Sequence, residues 1–73
     1  MDNNALGKAI RKARGDLSLR DYAKKIGISH THLDSIEKGY DPRTGKPVTI
    51  SLDTFVKLSD ATGIPLEELL FML

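Results

Sequence analysis

Three serines and four glycines divide this 73-residue chain into short segments, and that punctuation constrains its fold more than any other feature. Ser18, Ser29 and Ser51 each stand just before a stretch with helical spacing, where a hydroxyl can accept from the free N–H groups of a first turn. Gly15, Gly27, Gly39 and Gly63 each close such a stretch. Gly27 carries the sharpest demand, because the chain must turn there from one helix into the next with a positive φ that other residues resist. The spacing predicts helices at Ala5–Arg14, Leu19–Ile26, His30–Lys38 and Leu52–Thr62. Asp21, three residues after Ser18, supplies the acidic partner of a capping box. Pro65, placed at a first helical turn, opens a short fifth helix with Leu66, Leu69 and Leu70. The stretch from Tyr40 to Ile50, with two prolines and a glycine, reads as a loop. No strand alternation and no internal repeat is present, so the expected fold class is all-α.

Each helix has a candidate inward face. These are Leu6, Ile10 and Ala13; Tyr22, Ala23 and Ile26; Leu33 and Ile36; and Leu52, Phe55, Val56 and Leu58 or Ser59. The chain has no cysteine, so packing alone must hold one domain spanning 1–73, near the lower size limit for a single core. Hydrophobic residues at 40% and charged residues at 29% suit a compact soluble domain. The N-terminus lacks a basic stretch followed by an apolar run, so no signal peptide is expected. No apolar run approaches the roughly 20 residues that span a bilayer. These features lead us to expect a soluble, cytoplasmic protein with no membrane partner.

The net charge of +1 is less informative than its distribution. Residues 1–46 carry ten Lys/Arg against six acids, a net +4, while residues 47–73 carry one lysine against four acids, a net −3. A basic front and an acidic back suit a phosphate-facing surface with a remote end that faces a partner. Ordinary variation in surface charge accounts for the same asymmetry equally well.

The segment Leu17–Gly39 places two helices of about eight residues on either side of a glycine turn, which is the helix-turn-helix arrangement. Ala23 is small where the second helix must cross close to the first. Ile28, Leu33 and Ile36 lock both to one core, which leaves the polar face of the second helix outward as a rigid reading surface. Ala23, Gly27, Ile28-Ser29, Leu33, Ile36-Glu37 and Gly39 carry a resemblance to the phage repressor and Cro helix-turn-helix family, also called the xenobiotic-response-element family. Leu52–Thr62 and Ile64-Pro65-Leu66-Glu67-Glu68-Leu69 extend it, so that it covers nearly the whole chain, from Leu6 to Leu70. The resemblance implies a five-helix, lambda-repressor-like DNA-binding domain.

It also implies roles for matching positions. Ser29, His30 and Thr31, with Ser35 one turn further along, would face base edges in the major groove. Tyr40, Arg43, Thr44 and Lys46 lie in the loop after the recognition helix, where family members often touch the DNA backbone. Arg20, Lys24 and Lys25 are further phosphate candidates, of which Arg20 and Lys25 are preferred. Helix N-termini would add backbone N–H groups aimed at phosphate. Glu37, an acid beside a DNA surface, would form a structural ion pair with Arg14. Two positions depart from the family pattern: Leu19 stands where a phosphate-binding glutamine is usual, and the recognition helix lacks the Gln, Asn or Arg that make bidentate base contacts. His, Thr and Ser read bases with fewer bonds, which shifts weight toward DNA shape.

Other chemistries find less support. His30 and His32 share one short segment without any cysteine, so no metal site and no cofactor is expected. His32 is expected to flank the Leu33/Ile36 core. Asp34 and Lys38, four apart, suit a helix-surface pair. Pro42–Lys46 faintly resembles a phosphate loop but lacks the spacing and the preceding strand. No nucleophile with a base and orienting group is recognisable, which argues against an enzyme. The C-terminal run Leu66, Leu69, Leu70, Phe71, Met72 and Leu73 is too apolar to stay exposed. It is expected to complete the core, to form a homodimer or to continue into a further region, the homodimer being preferred. Two readings follow: a DNA-binding transcriptional regulator acting as a repressor, and a helical interaction or antitoxin-type module with weak DNA binding.

Overall fold

The computed structural model describes residues 4–72 as five helices: α1 (Ala5–Arg14), α2 (Leu19–Ile26), α3 (His30–Lys38), α4 (Leu52–Thr62) and α5 (Leu66–Phe71). Residues 1–3, which include Asp2 of the charge count and most of the N-terminus read for a signal peptide, lie outside the described residues. So does Leu73 of the apolar run.

The local punctuation acts as its chemistry requires. Ser18 accepts from the Asp21 N–H at 3.1 Å, Ser29 from His32 at 3.1 Å and Ser51 from Thr54 at 3.2 Å. Pro65 precedes α5 as its N-cap instead of occupying its first turn. Asn4 is the cap of α1: its side chain accepts from Gly7 at 3.0 Å and donates to the Glu37 carbonyl at 2.7 Å. One side chain thus starts α1 and anchors it to the last turn of α3. Gly7 is buried at this crossing, where a Cβ would overlap the Asn4 amide and the Glu37 carbonyl.

The core consists of Leu6, Ile10, Tyr22, Ala23, Ile26, Leu33, Ile36, Phe55, Leu58 and Leu69, contributed by all five helices. α1 and α2 pack on α3, and α4 bridges α2 to α5. Val48 and Ile50 of the 40–50 connection lean on the same core. Burying such side chains at about 25 cal/mol per Å² is the main stabilising contribution in a cysteine-free chain.

Two inward faces differ from the spacing-based expectation. On α1 the buried residues are Leu6, Gly7 and Ile10, with Arg14 half-buried one turn further along, while Ala13 is exposed. On α4 Thr54, Phe55 and Leu58 face inward, whereas Leu52 is 64% and Val56 50% exposed. Val56 is two residues from Leu58 and so lies on nearly the opposite side of a helix that turns about 100° per residue. The packing of α2 and α5 around Leu58 selects the face.

Among the described residues no helix is long and apolar enough to cross a membrane.

Candidate nucleic-acid interface

The turn between α2 and α3 is built on Gly27, whose φ of 96° places it in the left-handed region. Its N–H and that of Ile28 both donate to the Ala23 carbonyl, at 2.8 and 3.0 Å. Ala23 is 2% exposed, which lets the two helices approach closely at this point. The turn throws α3 across α2 with Leu33 and Ile36 in the core and the start of the helix outward.

Ser29, His30 and Thr31 are all exposed at that end. Ser35 is not with them: it is 6% exposed and its hydroxyl donates to the Thr31 carbonyl at 3.2 Å. The position expected to make a fourth base contact is therefore almost fully covered and engaged with its own helix. His32, expected beside the Leu33/Ile36 core, is half-buried, and its Nε2 lies 3.4 Å from the Thr49 carbonyl. That contact crosses from α3 to the connection that follows it.

This connection is a closed hairpin. Tyr40 and Pro47 form an antiparallel bridge, and the Asp41 N–H donates to the Lys46 carbonyl at 2.8 Å. Inside the turn, the Thr44 and Gly45 N–H groups donate to the Asp41 carbonyl at 3.2 and 2.7 Å. The Asp41 carboxylate accepts from the Arg43 N–H at 2.9 Å and faces its Nε at 3.4 Å, and these bonds hold its pKa below the usual carboxylate range. The Lys46 N–H donates to the Thr44 hydroxyl at 3.2 Å. Arg43, Thr44 and Lys46 are therefore carried on an ordered turn, with the Arg43 side chain 78% exposed.

Two grooves flank the N-terminal end of α3. The first, about 560 Å³, lies between α3 and the hairpin and is lined by Thr31, His32, Arg43, Thr44, Lys46 and Thr49 among others. The second, about 590 Å³, lies between α3 and α2 and is lined by Arg20, Asp21, Lys24, Ile28 and His30. Ser29 belongs to both. The start of α3 is thus a ridge between two cationic troughs, the arrangement of a helix that can enter a DNA major groove. Arg20 and Lys24, one helical turn apart, line the α2 trough; Lys25 lines neither. Tyr40 is exposed at the hairpin base, outside both linings. Thr49 joins the site without having been singled out from the sequence, and His32, expected beside the core, also lines the α3–hairpin trough.

Glu37, an acid in the last turn of α3, is turned away from this surface. Its side chain is 4% exposed and takes Arg14 Nε at 2.8 Å and Nη2 at 3.0 Å, with Arg11 Nε at 3.5 Å. Hydrogen bonding to Glu37 holds the Arg14 guanidinium above its ordinary pKa. Asp34 is paired with Lys38 at 2.9 Å. Both of these α3 acids are thus paired, while Asp21 remains in the lining of the α2 trough beside Arg20 and Lys24. Among the described residues, no group of three or more His, Cys, Asp or Glu is placed to hold a metal ion.

No curated protein and no solved structure matches the chain. The helix-turn-helix family does: its match covers residues 8–69, from inside α1 to Leu69 of α5, and takes in both troughs and the ridge between them. The chain belongs to the helix-turn-helix family of DNA-binding regulators, of the xenobiotic-response-element, lambda-repressor-like type.

Proposed function

We propose that this chain is a sequence-specific, double-stranded DNA-binding transcriptional repressor that acts as a homodimer in the cytoplasm. The observation that carries the reading is the exposed start of α3, standing between two troughs that each hold an arginine and a lysine. Such a ridge enters the major groove while each trough receives one phosphodiester strand. Ser29, His30 and Thr31 then lie at base edges, and Arg20, Lys24, Arg43, Thr44 and Lys46 lie at phosphates. Ser35 acts indirectly in this arrangement, by fixing the backbone under Thr31. Lys25 and Tyr40 contribute at the margins, since both are exposed but outside the troughs.

Dimerisation is supported by α5, where Leu70 is 42% and Phe71 90% exposed. A second copy seated there would pair two recognition helices at about 34 Å, one turn of duplex, or at a multiple of it. The same patch favours the other reading, an interaction or antitoxin-type module whose DNA binding is weak.

Titrating a random-sequence duplex against salt separates the two. The repressor reading expects an affinity that falls steeply as salt rises, because each neutralised phosphate releases a counterion. Absence of binding at about 50 mM salt, or binding insensitive to salt, refutes it. Selection of bound sites from a random library then gives the half-site and its spacing.

A further inference from the structure

We infer that His32 is a DNA-contacting residue of the hairpin trough and that it holds a phosphate as its imidazolium, so that DNA association takes up a proton. The inference rests on the DNA-binding reading above and deepens it.

His32 lies in the wall of the trough between α3 and the hairpin. Its Nε2 is 3.4 Å from the Thr49 carbonyl. A carbonyl only accepts, so in this contact the proton sits on Nε2. In the neutral ring Nδ1 is then an acceptor, with nothing to offer a phosphate oxygen, which is itself an acceptor. A second proton converts Nδ1 into a donor and the ring into a cation while leaving the tether to Thr49 in place. The ring can thus hold the hairpin leg and a phosphate together only when doubly protonated.

The charged groups facing His32 are few. From the hairpin they are Asp41, Arg43 and Lys46; the α3 residues that share the trough, Ser29, Thr31 and Ser35, carry no charge. Asp41 is engaged by the N–H and Nε of Arg43 within its own turn. A phosphate held in the trough by Arg43 and Lys46 adds a negative charge beside the ring and favours its charged form. Histidine is the side chain whose ordinary titration falls between pH 5 and 8, so this change in environment falls where it alters binding. His30, in the other trough with Arg20, Asp21 and Lys24, is exposed and has no backbone tether to fix its tautomer, which makes it the internal comparison.

The test measures affinity for a labelled random-sequence duplex from pH 5.5 to 8 at constant ionic strength, for the wild type, His32→Gln and His30→Gln. A Gln amide can still donate to the Thr49 carbonyl, so His32→Gln removes the titrating charge and spares the tether. Circular dichroism at each pH confirms that each protein remains folded. The wild type is expected to bind about tenfold more tightly at the acid end, the effect of one proton whose affinity shifts by about one pK unit. His32→Gln is expected to abolish most of that dependence and His30→Gln to retain it. The inference is overturned if the wild type binds DNA with no pH dependence, if His32→Gln keeps the full dependence, or if the dependence is lost in His30→Gln instead. No binding at any pH overturns the DNA-binding reading itself, a separate result.

Discussion

Glu37 holds Arg14 through both carboxylate oxygens, at 2.8 and 3.0 Å, while its backbone carbonyl accepts from the Asn4 side chain at 2.7 Å. The last turn of α3 is therefore fastened to both ends of α1. The same Arg14 donates through Nη1 to the Leu17 carbonyl at 2.8 Å, which carries the tie into the approach to α2. The recognition helix is thus braced at its C-terminal turn, away from the exposed Ser29–Thr31 ridge.

Arg14→Ala should accordingly cost about 3 kcal/mol, because it leaves a buried carboxylate with only the more distant Arg11. Arg11→Ala should change stability by less than about 1 kcal/mol, since that side chain is 58% exposed and sits at 3.5 Å. Urea denaturation of the two variants gives the comparison directly. Equal losses would mean that Glu37 is held by the pair as a unit and not chiefly by Arg14.

Tyr22 is 2% exposed, and its hydroxyl has no hydrogen-bond partner. An unpaired buried hydroxyl is costly, so Tyr22→Phe should leave stability unchanged or raise it by about 1 kcal/mol. Burial, and then the negative charge of Glu37, pushes the Tyr22 phenol pKa above its ordinary value. A raised folded-state pKa leaves stability intact below the unfolded value near 10 and erodes it as pH climbs from there toward the folded value. Thermal melts between pH 7 and 11 should show an alkaline decline that is reduced in Tyr22→Phe. An unchanged decline would assign it to another group.

The caps and turns were legible in the sequence because their chemistry is local. Ser18, Ser29 and Ser51 bond to an N–H three residues on, and Gly27 and Gly39 take positive φ where short helices end. The face of α4 was not legible, since the run from Leu52 to Thr62 supports two apolar stripes and only the position of its neighbours chooses between them. The cap bond from Gly7 to Asn4 is as local as the serine caps, whereas the contact of Asn4 with Glu37 spans 33 residues and leaves no local signal. For the site, residue types indicated a basic loop, but its closure depends on the Asp41–Lys46 bond and the Tyr40–Pro47 bridge. That closure creates the trough, and with it the place of His32.

The two kinds of DNA contact should separate by mutation. Thr31 is exposed on the ridge and Arg43 on the hairpin, across the first trough from it. Thr31→Ala is expected to relax preference at one base position by about 1 kcal/mol, with little change in the salt slope. Arg43→Ala should weaken binding to all sequences alike and reduce the salt slope by about one. Binding assays against a selected site and its single-base variants, repeated at several salt concentrations, distinguish the outcomes. Identical behaviour of the two variants would refute the docking geometry.

Besides Leu17 and Tyr40, the large exposed apolar side chains among the described residues lie on the two C-terminal helices, and only one of these two sets is proposed to meet a second copy. Phe71 is 90% exposed and adjoins Leu70, whereas Leu52 and Val56 stand on the outer face of α4. A phenylalanine in an interface covers about 150–250 Å², enough to make it an anchor of a small dimer contact. Phe71→Ser should therefore shift sedimentation toward monomer at concentrations where the wild type is dimeric, while Val56→Ser should leave the distribution unchanged. On DNA, the Phe71 variant should lose affinity for paired half-sites by about 100-fold or more and keep its affinity for a single half-site, because only the linkage between two modules is lost. Equal loss on single and paired sites would mean that Phe71 supports the fold of α5, and a dimer sensitive to Val56 would place the interface on α4.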